Sequence, residues 1–104
     1  MAHATFSYEL SQEADNDLDG IYDYTVEKFG VGQAVGYLSS FEEIFEHLCN
    51  NPKLGRKRNE VRNGLRSISN QSHTVFYRVL KDSIRIVRIL HGSRDVVKFL
   101  PPKE

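Results

Sequence analysis

The residues best equipped for chemistry lie in the second half of the sequence. They are a basic loop, Lys53-Leu54-Gly55-Arg56-Lys57-Arg58, then Arg62, Arg66, Arg78, Arg85, Arg88 and Arg94, with His91 among them. Guanidinium and ammonium groups in such number could hold the phosphates of a nucleic acid. An imidazole titrates near neutrality, so His91 could serve as general acid or base in RNA cleavage. Metal-free cleavage, however, needs both a proton acceptor for the 2′-hydroxyl and a donor for the leaving oxygen. His91 is the one neutral-range group near several arginines, so a nuclease site would comprise Arg66, Arg88 and His91. The alternative is structural: His91 hydrogen-bonds at a strand end and the arginines pair with acidic helices.

Other chemistries find little support. His3, His47, His73 and His91 are far apart and there is no cysteine pair, so no metal-ligand spacing is evident and no metal or cofactor is expected. No glycine-rich loop precedes a helix, and nothing resembles a nucleophile elbow. Cys49 ends an apolar helical stripe without a basic neighbour, which predicts a buried thiol.

The formal net charge is zero, but it conceals a split. Residues 1–52 hold ten acids and one base, a net of −9; residues 53–104 hold thirteen bases and four acids, a net of +9. Either the halves attract each other within one domain, or a basic face is offered to a polyanion or an acidic protein. A length of 104 residues suits one domain spanning 1–104. No apolar run approaches a membrane span, no signal peptide is evident in Met1–Thr5, and the lone cysteine fits a reducing compartment. The expectation is a cytoplasmic protein without membrane contact.

The elements that must position these groups follow from periodicity. Thr5 to Leu10 alternates as a short strand. Ser11 is placed to cap a helix running to about Gly30, with Glu13 and Asp15 in its first turn and an apolar stripe of Ala14, Leu18, Ile21, Tyr22, Thr25 and Phe29. Gly30 and Gly32 signal a stop. A second helix is predicted from about Gln33 to about Cys49, with Gly36 marking a close helix contact, and Asn51-Pro52 ends it. So short a link makes a helical hairpin. The basic loop after it is read as lacking structure of its own. Val61–Ser69, His73–Leu80 and Ser83–His91 read as strands of an antiparallel meander, joined by Asn70-Gln71-Ser72 and Lys81-Asp82. The class is α+β: strand, α-helical hairpin, three-stranded antiparallel meander, with Leu18, Ile21, Phe41, Phe45, Val75, Tyr77, Ile86 and Val87 or Ile89 in the core.

One feature of the meander is anomalous. Neither parity of His73–Leu80 or Ser83–His91 is polar, and a single helical hairpin covers one face. The other face should keep apolar side chains mixed with arginines, either open to a partner or covered by the tail that starts at Gly92. Pro101-Pro102 precludes a regular end.

The order of these elements, and the motifs in them, resemble the toxins of the RelE/ParE superfamily. The likeness is carried by Ser11-x-x-Ala14-x-x-Asp17-Leu18-x-x-Ile21-x-x-Tyr24, by Phe45-x-x-Leu48-x-x-Asn51-Pro52-x-x-Gly55, by Arg66-Ser67-Ile68 and His73–Val79, and by Ile86–Asp95. It implies the RelE/ParE-like fold and the toxin of a type II toxin–antitoxin system. A ParE-like member implies DNA gyrase as target and a cognate ParD-like antitoxin, a small ribbon-helix-helix protein, with operator DNA reached only through that antitoxin. A RelE-like member implies ribosome-dependent mRNA cleavage; a third possibility is a non-toxic binding module. Leu90-His91-Gly92-Ser93-Arg94-Asp95 resembles the ParE form, and the tail has no tyrosine after His91. On this reading Arg94, Val96, Val97 and Phe99 contact the target, and deleting the tail from Arg94 weakens toxicity. Arg66, Arg78, Arg85, Arg88, Val87 and Ile89 meet the antitoxin, and no residue is catalytic.

Overall fold

The structure, a computed structural model, describes residues 6–94 and 96–100. The expectations for Met1–Thr5, Asp95 and Pro101-Pro102 lie outside them. Eight elements follow in chain order: β1 (Ser7–Leu10), α1 (Gln12–Phe29), α2 (Val31–Asn50), β2 (Arg56–Lys57), β3 (Leu65–Asn70), β4 (His73–Val79), β5 (Ser83–His91) and α3 (Val96–Phe99). The strands form one sheet in the order β1-β5-β4-β3-β2. β2 to β5 pair antiparallel, and β1 lies parallel to β5 at the edge.

The helices begin and end where local chemistry dictates. The Ser11 hydroxyl accepts the Ala14 N–H at 3.0 Å, and Glu13 and Asp15 occupy the positively polarised first turn. A single residue, Gly30, links α1 to α2. Its N–H donates to Val26 O while its carbonyl accepts from Ala34 N, and its φ of 94° is a conformation that glycine tolerates. The link is therefore tighter than Gly30-Val31-Gly32 suggested. Gly36 does not mark a close contact: nothing lies within 4 Å of where a Cβ would stand.

Two departures concern the meander. Arg56-Lys57, read as part of an unstructured loop, pairs with Ser67 and Arg66 as a short fifth strand. β3 starts at Leu65 rather than Val61, because residues 59–64 turn: Asn59 Oδ1 accepts the Gly64 N–H at 3.0 Å, and Gly64 has a φ of 84°. In β5 the register shifts opposite Phe76/Tyr77, so that Ile86 faces Tyr77 and Arg88 faces Phe76, with Val87 extra. In β5 this bulge explains the missing polar face, whereas in β4 both faces are buried, Val75 and Tyr77 in one cluster and Phe76 in the other. Before it Ile84 and Ile86 point to the helices; after it Ile89 does, and Leu90 points away.

The sheet thus separates two apolar clusters. The larger contains Ile21, Phe41, Phe45, Leu48, Val75, Tyr77, Ile84, Ile86 and Ile89, with Leu18 half-buried at its margin. The smaller, on the opposite face, joins Val61, Leu65, Phe76 and Leu90 to Leu100, with Val87, Val96 and Phe99 against it. The tail therefore covers the face that the helical hairpin leaves open.

Tyr77 ties the α2 exit to the sheet. Its hydroxyl donates to Pro52 O and accepts the Gly55 N–H, both at 2.8 Å, while Arg66 Nη1 donates to Gly55 O at 2.7 Å. A Cβ on Gly55 would come within 2.7 Å of the Tyr77 ring, its hydroxyl and Ser67 O. Gly55→Ala should therefore destabilise the fold by about 1–3 kcal/mol, as overpacking of a filled site does. Gly36→Ala, in open space mid-helix, should stabilise by up to about 1 kcal/mol. Urea midpoints of the two variants check this.

Candidate functional site

The most heavily bonded polar cluster forms where β1 stops. β1 covers β5 only as far as Ile86, which leaves the next backbone groups of β5 at an uncovered edge. The start of α1 takes them. Ser11 N–H donates to Ile86 O at 2.9 Å and its hydroxyl to Val87 O at 2.7 Å. Asp17 Oδ2 accepts the Ile89 N–H and Arg88 Nε, and Oδ1 accepts Arg88 Nη2, all at 2.9 Å. Arg88 Nη1 also donates to Phe99 O at 3.2 Å, and the guanidinium lies over the Phe99 ring. Hydrogen bonding to Asp17 raises the Arg88 pKa, so it remains charged.

A cleft of about 490 Å³ opens beside this cluster, between α1 and the end of β5, walled in part by Asn16, Tyr24, His73, His91 and Arg94. His73 and His91 are eighteen positions apart in sequence, yet they face each other across β4 and β5, with ring centroids 5.3 Å apart at 83°. His73 Nδ1 lies 2.8 Å from the Tyr37 hydroxyl, which donates to Asn70 O. His91 Nδ1 accepts the Ser93 N–H at 3.1 Å and lies 2.8 Å from Ser93 Oγ. The separation of the histidines in sequence concealed this pair: the Lys81-Asp82 turn joins their strands, but the bulge at Val87 sets the register that brings them together. A second cleft, of about 430 Å³, shares His73 and Tyr24 and runs toward Gly32 and Gly36 at the hairpin tip.

The expected site residues are distributed as follows. Arg66 aligns with Tyr77 on the helix-covered face and is held by the α2 exit loop, whereas Arg88 aligns with Phe76 on the other face. Arg88 and His91 line the same cleft, with Arg94, whereas Arg66 lies outside it. Arg78 donates to Asn63 O at 3.0 Å, and Arg85 to Glu9 Oε2 at 3.3 Å. Ile89 is 2% exposed inside the larger cluster and Val87 packs under the tail, so Ile89 has no surface to give a partner. Arg94 is exposed and stacks on Phe99 at 4.9 Å; Val97 is exposed, and Val96 and Phe99 are half-buried. Because the tail is packed, deleting it from Arg94 would open the smaller cluster as well as remove contacts.

Burial lowers the His73 pKa first, and the charges of His91 and Arg94 lower it further, against an opposing pull from Asp17. The folded protein therefore binds protons at His73 less readily than the unfolded chain does. The stabilisation is complete above the unfolded histidine value of ~6.5 and is lost as pH falls through it toward the lower folded value. The urea midpoint should drop between about pH 7.5 and about pH 5.5, and drop less in His73→Gln. An equal drop in both proteins would locate the effect elsewhere.

The comparisons with known proteins agree with this architecture. The family model described as the ParE toxin of the type II toxin–antitoxin system, parDE, matches residues 8–96. Toxin ParE1 of Mycobacterium tuberculosis (strain ATCC 25618 / H37Rv) is 41% identical over 90 residues, covering 86% of this chain and 92% of that protein. Toxin ParE1 of Caulobacter vibrioides is 37% identical over 88 residues, covering 85% and 91%. Among solved structures, the chromosomal ParDE system of P. aeruginosa superposes with a TM-score of 0.74 at 25% identity, over 86% of this chain and 98% of that one. The RelBE2 toxin–antitoxin complex of Mycobacterium tuberculosis shares the fold, with a TM-score of 0.61 at 17% identity. Sequence and fold thus converge, and the chain belongs to the ParE toxin family of type II toxin–antitoxin systems.

Proposed function

We propose that this toxin poisons DNA gyrase and is neutralised by a cognate ParD-like antitoxin of the ribbon-helix-helix type. The observation that carries the reading, beside family membership, is that the nuclease candidates are committed elsewhere: Arg88, though it lines the same cleft as His91, is tied to Asp17 and Phe99. Arg66 and Arg88 lie on opposite faces, and His91 engages its own turn through Ser93. A poison needs no proton-transfer pair, only a surface that holds one state of the enzyme–DNA complex. Arg94 and Val97 project from the tail as that surface, and Val96 and Phe99 support them from below.

The antitoxin's acidic residues meet the basic half of the chain, with Arg78 and Arg85 as anchors; Arg66 and Arg88, on opposite faces and each bonded within the fold, are not part of this surface. Arg78 and Arg85 are cross-strand neighbours on the face away from the helices. Val87 contributes through its half-exposed edge. Charge reversal at Arg78 and Arg85 should lower the association rate with antitoxin and reduce its salt sensitivity.

The target is tested with purified protein, gyrase and DNA. The toxin should accumulate cleaved DNA and leave mRNA on translating ribosomes intact. His91→Ala should retain toxicity, because losing a catalytic acid or base costs ~10²–10⁴ in rate, whereas losing a hydrogen bond in a turn does not. Val97→Asp should weaken gyrase trapping without unfolding the chain, a cleaner test than tail deletion. Codon-positioned mRNA cuts that vanish in folded His91→Ala would identify a ribosome-dependent nuclease instead.

A further inference from the structure

We propose that the connection between β2 and β3 holds a phosphate group of a nucleic-acid backbone, in a pocket of about 260 Å³ walled by Lys57, Asn59, Asn63 and Arg66. The backbone forces two cations together there. Lys57 and Arg66 stand directly opposite each other across β2 and β3. The Arg58 N–H donates to Leu65 O at 2.8 Å, so the neighbouring Lys57–Arg66 pair is one without mutual backbone hydrogen bonds, the kind in which side chains stand closest. Like charges placed directly opposite destabilise a sheet. Among the described residues no acid lines the pocket, and the nearest in sequence, Glu60, is taken by Arg58 at 2.7 Å. An anion seated between the two cations removes the repulsion.

The donors around the pocket are available as well as charged. Nη1 of Arg66 is spent on Gly55 O and Lys53 O, whereas its Nε and Nη2 have no partner among the described residues. Asn59 Oδ1 accepts the Gly64 N–H, which fixes the orientation of the amide and leaves the two hydrogens of Nδ2 to donate. Lys57 is exposed and makes no ion pair among the described residues. An ammonium, a guanidinium and an amide converging from separate positions suit the several oxygens of a phosphate, and charge assistance strengthens each bond. Lys53 and Arg56, both exposed, continue the positive charge along this border of the sheet. A row of cations favours a chain of phosphates over a single ion. None of the lining residues titrates near neutrality, so the pocket holds a phosphodiester without a group to cleave it.

The inference does not rest on the gyrase reading, and its test contains neither gyrase nor ribosomes. Inorganic phosphate, and separately a short DNA duplex, is titrated into the full chain at low salt, with side-chain NMR of Asn59 Nδ2 and Arg66 Nε as the readout. Both resonances should shift with phosphate, and the duplex should shift them at lower concentration. Lys57→Gln, at an exposed position, should weaken duplex binding at least about threefold and reduce its salt slope by about one. Asn59→Asp keeps the acceptor for the Gly64 N–H but sets a carboxylate between the cations, so it should abolish the shifts in a chain whose urea midpoint has not fallen. Lys28→Gln, in the last turn of α1, should leave the shifts unchanged. Three results overturn the site. Acetate acting as well as phosphate would mark a carboxylate site, and phosphate binding that the duplex does not match would mark a free-ion site. No shift at all, or equal shifts in folded Lys57→Gln and Asn59→Asp, would leave no site.

Discussion

The structure depends on one carboxylate. Asp17 receives three hydrogen bonds, two from Arg88 and one from the backbone of Ile89, and so closes the part of β5 that β1 is too short to cover. It lets β5 bulge at Val87 without orphaned backbone groups, since Ser11 takes the carbonyl on one side and Asp17 the N–H on the other. The bulge redirects the strand so that Ile89 enters one cluster and Leu90 the other. Arg88, held in place, then reaches the carbonyl and ring of Phe99 and fixes the tail. Helix, strand and tail meet at this point, and breaking a largely buried pair of this kind costs about 3–5 kcal/mol.

The charge split of the sequence is mostly not resolved inside the molecule. Among the described residues, two ion pairs join the halves, Glu9 with Arg85 and Asp17 with Arg88, and the third, Arg58 with Glu60, is local. The acids of the exposed side of α1 and the bases of the α2 exit therefore face solvent as opposed regions. That arrangement produces a directional field, which affects encounter rates more than stability.

Much of this was legible in the sequence, for physical reasons. Helical period and capping chemistry identified α1 and α2 to within a few residues. Asn51-Pro52-x-x-Gly55 resembled a family motif, and the structure gives its reason: the Tyr77 hydroxyl needs both a carbonyl and an uncrowded N–H there. The bulge was visible only as a failure of parity, because one inserted residue exchanges the faces of everything after it. For the sheet's second face, partner and tail stood as alternatives in the sequence, and the packing of Leu100, Val96 and Phe99 decides for the tail. The pairing of His73 with His91 depends on a register that no local pattern encodes.

The two-residue strand β2 has a consequence for self-association. A sheet edge with free N–H and C=O groups templates the addition of another strand, and long flat edges grow into aggregates. Here the edge beside β3 is reduced to Arg56 and Lys57, both exposed and both cationic. A second molecule approaching in the same orientation would align its own cations against these. At the other end of the sheet the chain leading into β1 turns its Phe6 N–H to Cys49 O at the end of α2. Among the described residues the sheet has five strands, with like charge at one border and a tie to a helix beside the other.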